Sequence, residues 1–457
     1  MNIINTPSPI ALKVIGKQKV CGGTFYRPSL YLYISEIDGE IIACNSLTHC
    51  IATVSEEERE VLSNGTDNVD GFEKLVENWF LVPKDFDDYK MCIETRELLR
   101  VFMPLQREKK YVVMTTLDCN ARCFYCYQMG RNKNRIPMSL ETAEAVADYI
   151  INTVKGCTAV IQWYGGEPLY NDAVIDLICD RLQKAGVEYR STMISNLYLL
   201  SEDILDKAVD FWKLGFVNMP IDGTEEVYNK TKAYIHKDVD SHFKVVMDNV
   251  KKALEKGIRI VARVNFDQHN KEDIFALAKD LYSRFGEYDN FEIYSDILYE
   301  NAGPKSPVRK AEERMQLVNN MIEFENYCME LGLNLSRNFP NVMTIRRCMA
   351  DNDSAVVISP DGKLGKCDHC MASKIHGTVF SSDVDKDMLE SFKKELNCEE
   401  SCRNCMMLPN CIRIVNCPDD GDSTCDDAYK MKKKHLLDAA LKNEVRNIKA
   451  GNRRVDN

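Results

Sequence analysis

Cys119, Cys123 and Cys126 fall within eight residues, with three and then two residues between them. Three is an odd number for disulfides and one short of the four ligands a closed structural zinc site takes. Three thiolates on one loop can instead hold three irons of a 4Fe-4S cube and leave the fourth iron open to a substrate or cofactor. Zinc is the competing occupant, since it also takes thiolates. A second concentration lies downstream: nine of the nineteen cysteines fall between Cys348 and Cys425. In a reducing compartment such crowding points to metal or iron–sulfur ligation rather than disulfides. The other seven (Cys21, Cys44, Cys50, Cys92, Cys157, Cys179 and Cys328) are scattered and read as small buried hydrophobes.

The elements that must position these thiols are legible from periodicity. From about residue 107 strands and helices alternate: "YVVMTTL", "AVIQWY", "EYRSTMI", "FVNMPI", "IRIVARVNF" and "FEIYSDIL" read as strands with helices between them. The helix after Ser139 puts Ala143, Val146, Ala147, Ile150 and Val154 on one face. Glycines 186, 215, 257 and 286 read as helix stops. Such alternation implies parallel strands with right-handed crossovers. Six units are too few for a closed eight-fold barrel, so an open (β/α)6 TIM-like partial barrel is expected, with its active site at the C-terminal strand ends. The three-cysteine loop directly follows the first of those strands.

Before the barrel, "SLYLYISEIDGEIIACNSLTHCIATVS" reads as strands around an Asp38–Gly39 turn. Ser55 then caps a short acidic helix. "NAGPKSP" near residue 304 reads as a loop and "KAEERMQLVNNMIEFENYCMELG" as a closing helix. After about residue 340 regular patterning fades and a small core held by metal is expected. The tail after Tyr429 reads as a basic helix that frays. The expected domains are therefore 1–106, 107–340 and 341–457. A net charge of −11 argues against nucleic acid or an anionic membrane as partner. No 18-residue apolar run and no secretory h-region stand out, which places the expected site of action in the cytoplasm.

The C-x3-C-x2-C spacing, with Tyr125 before the last cysteine, resembles the signature of radical S-adenosylmethionine (SAM) enzymes. That resemblance implies a 4Fe-4S cluster whose open iron chelates SAM and cleaves it reductively to a 5′-deoxyadenosyl radical. Other segments resemble family motifs in order. "WYGGEPL" implies that Gly165 and Gly166 let the backbone approach SAM and that Glu167 meets its ammonium. "ISNLYLL" implies that Ser195 and Asn196 touch the ribose or methionine. "MPIDGTEEVYNKTK" carries Pro220 where the family has serine, which removes a hydroxyl. "ARVNF" implies that Arg263 pairs with the SAM carboxylate.

The downstream cysteines resemble the SPASM domain, a twin-cluster extension on radical SAM enzymes that modify peptides and proteins. The match departs from the family in one place: five residues rather than three separate Cys411 from Cys417. The resemblance implies one auxiliary 4Fe-4S cluster on Cys402, Cys405, Cys411 and Cys425. A second would sit on Cys348, Cys367 and Cys417, with Cys370 or its rival Cys398 as fourth ligand, or an open site. "SPDGK" at Ser359 implies a hairpin. Asp368, directly after Cys367, stands where sulfatase-maturing relatives carry their base toward the substrate; His369 is its neighbour. The N-terminal part resembles the winged-helix-like module that binds a leader peptide by strand addition, with "YLYIS" as the edge. Together these imply three 4Fe-4S clusters, SAM, a precursor peptide, a flavodoxin or ferredoxin as reductant, and a monomer. Formylglycine formation and a zinc-stapled adaptor are the competing functions.

Overall fold

The computed structural model describes residues 1–102, 108–126, 128, 135–237, 239–267, 270–298, 310–340, 343–346, 348–371, 373–394, 400–415, 417 and 425–451. The "NAGPKSP" segment and Cys398 lie outside them.

The N-terminal part runs β1 (Asn2–Asn5), α1 (Pro9–Ile15), β2 (Tyr26–Pro28), β3 (Leu32–Ile37), β4 (Glu40–Asn45), β5 (Cys50–Thr53), α2 (Glu56–Asn64), α3 (Glu73–Glu77), β6 (Leu81–Pro83) and α4 (Asp88–Phe102). Its antiparallel sheet has the order β1-β5-β4-β3, which leaves β3 at an edge. Asp38 and Gly39 turn the chain with φ of 51° and 80°. Both lie in the left-handed region that a two-residue hairpin with primed geometry requires. Ser55 caps α2 through a reciprocal pair with Glu58.

The barrel follows: β7 (Glu108–Thr116), α5 (Leu140–Val154), β8 (Thr158–Gly165), α6 (Asp172–Lys184), β9 (Tyr189–Ile194), α7 (Glu202–Asp210), β10 (Leu214–Ile221), α8 (Glu225–Lys232), α9 (His242–Glu255), β11 (Arg259–Phe266), α10 (Lys271–Phe285), β12 (Phe291–Ile297) and α11 (Ala311–Leu331). Strands β7 to β12 pair in sequence order and in parallel. The side-chain period of two divides each strand between two faces. In β8, Ala159, Ile161 and Trp163 join the helices' core, so Gln162 and Tyr164 face the barrel interior. Ser139 caps α5 through the Thr142 N–H, and all five expected apolar residues of that helix are buried. Fully burying a residue the size of Val146 or Ile150 contributes about 1.5–3 kcal/mol.

Three features depart from the expectations. Gly286 caps α10 as expected, but Gly215 lies inside β10 and does not stop α7, which ends at Asp210. The C-terminal part also adds to the barrel sheet. β13 (Ala355–Ile358) pairs parallel with β7, and β14 (Lys363–Gly365) and β15 (Ile375–Thr378) extend the sheet to nine strands. Short helices α12 (Lys386–Ser391) and α13 (Glu400–Arg403) precede α14 (Asp427–Lys449). Finally, α14 is a packed helix and does not fray. Leu437, Ala440, Leu441 and Val445 cover Tyr33, Ile37, Ile42 and Cys44 of the N-terminal sheet. Tyr33 and Ser35 donate hydrogen bonds to Asp438. On the barrel side, buried Glu325 of α11 accepts from Ser295, Arg337 and His435. Among the described residues no helix is long and apolar enough to cross a membrane.

Candidate active site

The three-cysteine loop leaves β7 at its C-terminal end and is held by backbone bonds from a distant segment. Arg122 N donates to Lys232 O at 2.7 Å, and Ile235 N donates to Asn120 O at 2.9 Å. Within the loop Cys126 N donates to Cys123 O, and the Arg122 guanidinium reaches Cys119 O. All three thiols are free and part-buried. Burial, helped by the Glu167 carboxylate, pushes the Cys119 thiol up to about 12, and Cys123 and Cys126 add to the same effect. A thiol so disposed as Cys119 keeps its proton until a metal replaces it. A cube spreads its thiolates over separate corners, and the soft three-thiol donor set suits it.

The end of β8 lies directly against this loop. A Cβ on Gly165 would sit 2.2 Å from Thr116 O, and one on Gly166 2.0 Å from Asp118 O. Only glycine lets the two strand ends approach this closely. Gly165 also has φ of 129°. Glu167 follows, 1% exposed. It accepts from Ser195 Oγ at 2.7 Å, Asn196 N at 2.8 Å and Leu169 N at 3.3 Å. Burial outweighs those hydrogen bonds and lifts the carboxyl to about 7. Two carboxylate oxygens offer about four acceptor positions, so one remains for a cationic ligand.

Ser195 and Asn196 thus bond to protein: Ser195 orients Glu167, and Asn196 Nδ2 donates to Asn120 Oδ1 at 2.8 Å. The Tyr125 hydroxyl turns inward, donating to Asp222 Oδ1 at 2.7 Å and accepting from the Lys232 ammonium at 3.0 Å. Asp222, Lys232 and Asn265 were not singled out from the sequence. The acidic residue of "IDG" and the last lysine of "NKTK" are ten residues apart, and only the fold brings them under Tyr125. Arg263 faces the barrel interior next to Pro220 in register. Its Nε is buried and has no hydrogen-bond partner among the described residues.

Residues 113–281 match the family model described as the radical SAM superfamily. The barrel is a radical SAM domain. An uncharacterised protein of Methanocaldococcus jannaschii is 32% identical over 122 residues, 26% of this chain and 40% of that protein, so this chain spans less than half of it. The GTP 3′,8-cyclase of Aquifex aeolicus is 22% identical over 305 residues, covering 64% of this chain and 93% of the enzyme. Among solved structures, anSMEcpe with bound AdoMet has a TM-score of 0.55 at 15% identity over 75% of this chain and 96% of that one. The same protein with AdoMet and Cp18Cys peptide has a TM-score of 0.54 at 15% identity, covering 75% and 99%. At these identities the likeness is one of fold, and it reaches beyond the radical SAM domain.

The downstream thiols form two groups. Cys348 lies within electrostatic reach of Cys367 and Cys417. Buried Cys370 joins them through a side-chain hydrogen bond with Cys367. Cys425 lies near Cys411 and Cys405, while Cys402 and Cys411 share an apolar cluster with Tyr31, Leu47 and Leu99 of the N-terminal part. Of the scattered cysteines, Cys44, Cys50, Cys92, Cys179 and Cys328 are buried, Cys157 is partly so, and Cys21 is exposed. Asp368 does not join the three-cysteine loop. It follows Lys366, whose ammonium donates to Ala355 O at 2.6 Å, and Ala355 pairs with Lys110 near the start of β7. Lys110 feels the Asp368 carboxylate. Lys110 and Thr116 are six residue steps apart on β7, about 20 Å along the strand. His369 lies 3.9 Å from Asp368.

Proposed function

We propose that this chain is a radical SAM peptide maturase that installs a crosslink, a thioether or a carbon–carbon bond, in a ribosomally made precursor peptide. The observation that carries the reading is the convergence of three free thiols, the Gly165–Gly166 approach and the buried Glu167 carboxylate at the C-terminal end of a radical SAM barrel. When bound there, a 4Fe-4S cluster and SAM supply a 5′-deoxyadenosyl radical that takes a hydrogen atom from the peptide.

The chain's own residues bind and orient. Cys119, Cys123 and Cys126 hold the cluster. Glu167 accepts the SAM ammonium in its remaining position, with Ser195 and Asn196 fixing it and the loop. Arg263 pairs with the SAM carboxylate, and Tyr125 braces the loop from below. Cys348, Cys367, Cys370 and Cys417, and Cys402, Cys405, Cys411 and Cys425, would hold two further 4Fe-4S clusters. Asp368, beside Cys367 and apart from the three-cysteine loop, takes a proton from a substrate long enough to span the two. Residues 1–106 recognise the precursor, whose leader adds a strand at the β3 edge. Residues 107–340 form the barrel and 341–457 the auxiliary-cluster domain. The fold likeness to anSMEcpe, which binds AdoMet and a peptide, supports a peptide partner. Flavodoxin or ferredoxin delivers the electron that starts turnover.

Closing a thioether removes a hydrogen atom from carbon, a proton from the thiol and one electron, which an auxiliary cluster would accept, so the product is lighter by two hydrogens. Anaerobic reconstitution should give about twelve irons per chain, enough for three cubes. With dithionite and SAM the protein should form 5′-deoxyadenosine, and Cys123→Ala should abolish it. Unchanged formation in that variant refutes the loop assignment. A formylglycine product in place of a crosslink would move the chain to the sulfatase-maturing reaction.

A further inference from the structure

Lys232 ends α8 with its side chain turned inward under the cysteine loop, and it is only 2% exposed. Its ammonium donates to Tyr125 OH at 3.0 Å and lies 2.9 Å from Asp222 Oδ2, in charge contact rather than an aligned hydrogen bond. Asp222 is 3% exposed. Its other oxygen accepts from Tyr125 OH at 2.7 Å and from Asn265 Nδ2 at 2.9 Å. The rings of Tyr125 and Tyr228 stand 5.7 and 5.6 Å from the Lys232 nitrogen. Through its main chain the same residue accepts from Arg122 N. Lys232 therefore grips the loop at residues 122 and 125, on both sides of Cys123.

Fold stability alone does not call for this arrangement. Desolvating two charges costs several kcal/mol per ion, and replacing a buried pair with apolar residues of similar volume is often neutral or stabilising. Lys232 meets the loop at Tyr125 through its ammonium and at Arg122 through its carbonyl, on either side of Cys123, while Asp222 meets it at Tyr125.

We propose that Lys232 is a positioning residue for the three-cysteine loop and that its buried ammonium makes the cluster held there easier to reduce. A fixed positive charge stabilises the extra electron of the reduced cluster more than the oxidised form, and a low-dielectric site magnifies the effect. The inference rests on the loop holding a reducible cluster, as proposed above.

The test is a redox titration of reconstituted full-length protein, followed by electron paramagnetic resonance on the signal that changes when SAM is added. That change selects the loop's cluster among the three. Lys232→Met should lower the reduced-to-oxidised ratio about tenfold at fixed potential, which is 59 mV for a one-electron couple. Asp222→Asn should move the midpoint the other way, Lys232→Arg should stay near the unaltered protein, and the Met/Asn double variant should fall between the single ones. A purely structural role would lower iron content in both single variants without opposite shifts, and that result overturns the inference. Unmoved midpoints at full iron content overturn it equally. If Lys232→Met takes up no iron, the direction of the Asp222→Asn shift decides. An unaltered protein with no SAM-responsive signal would remove the loop assignment itself, whatever the variants do.

Discussion

Replacing Glu325 by glutamine should loosen the contact that docks α14 on the barrel. The carboxylate is fully buried and accepts from Ser295 N at 3.0 Å, Ser295 Oγ at 2.9 Å, Arg337 Nη2 at 2.5 Å and His435 Nε2 at 2.9 Å. Burial alone would raise its pKa, but the His435 and Arg337 contacts prevail and hold it at about 2, against an ordinary 4.5. At 1.36 kcal/mol per unit, that difference corresponds to about 3 kcal/mol of stabilisation at neutral pH. Removing one partner of a buried pair costs a similar amount, about 3–5 kcal/mol. Glu325→Gln should therefore raise the open population of α14 roughly a hundredfold, since each 1.4 kcal/mol is tenfold. Native-state hydrogen exchange over residues 427–449 reads this directly. A depressed carboxyl pKa stabilises above its unfolded value and loses that contribution as pH falls through the folded value. The gap between variant and unaltered protein should thus be complete above about 4.5 and shrink toward about 2. Protection within threefold of the unaltered protein at neutral pH, or a gap that widens on acidification, would refute the reasoning.

Other perturbations address the site. Gly166→Ala would push a methyl to 2.0 Å from Asp118 O. It should cost about 1–3 kcal/mol by overpacking and lower the iron retained on the loop, as measured against the auxiliary clusters by Mössbauer spectroscopy. Glu167→Gln should weaken SAM binding roughly 10–100-fold, the worth of a charge-assisted hydrogen bond, in equilibrium dialysis with the reconstituted protein. Asp368→Asn should leave 5′-deoxyadenosine formation intact while modified peptide falls at least about tenfold, as loss of a general base does. Parallel loss of both products would place Asp368 outside that role.

What the sequence made legible was local. The cysteine spacings, the Ser139 and Ser55 caps, the Asp38–Gly39 turn and the period of each barrel strand lie within a few residues, where side-chain chemistry and backbone geometry act directly. What it hid depends on tertiary pairing. Nothing near Lys232 in the chain announces that its ammonium will meet Tyr125, 107 residues away. The hairpin at Ser359 was readable, but its parallel pairing with β7 was not, because Ala355–Ile358 is too short for periodicity to reveal a partner. The last helix read as basic because its lysines and arginines dominate. Its apolar stripe has meaning only against the N-terminal sheet.

The bonds from Tyr33 and Ser35 to Asp438 span 405 and 403 residues. On a ribosome adding about 5–20 residues per second, roughly 20–80 s pass between the emergence of the sheet and of the helix that covers it. Throughout that interval Tyr33, Ile42 and Cys44 lack the part of their cover that α14 supplies, so this sheet is completed late. Cells making this protein should therefore depend on a holdase acting on nascent chains, and shortening α14 should send the product into aggregates before any cluster chemistry begins.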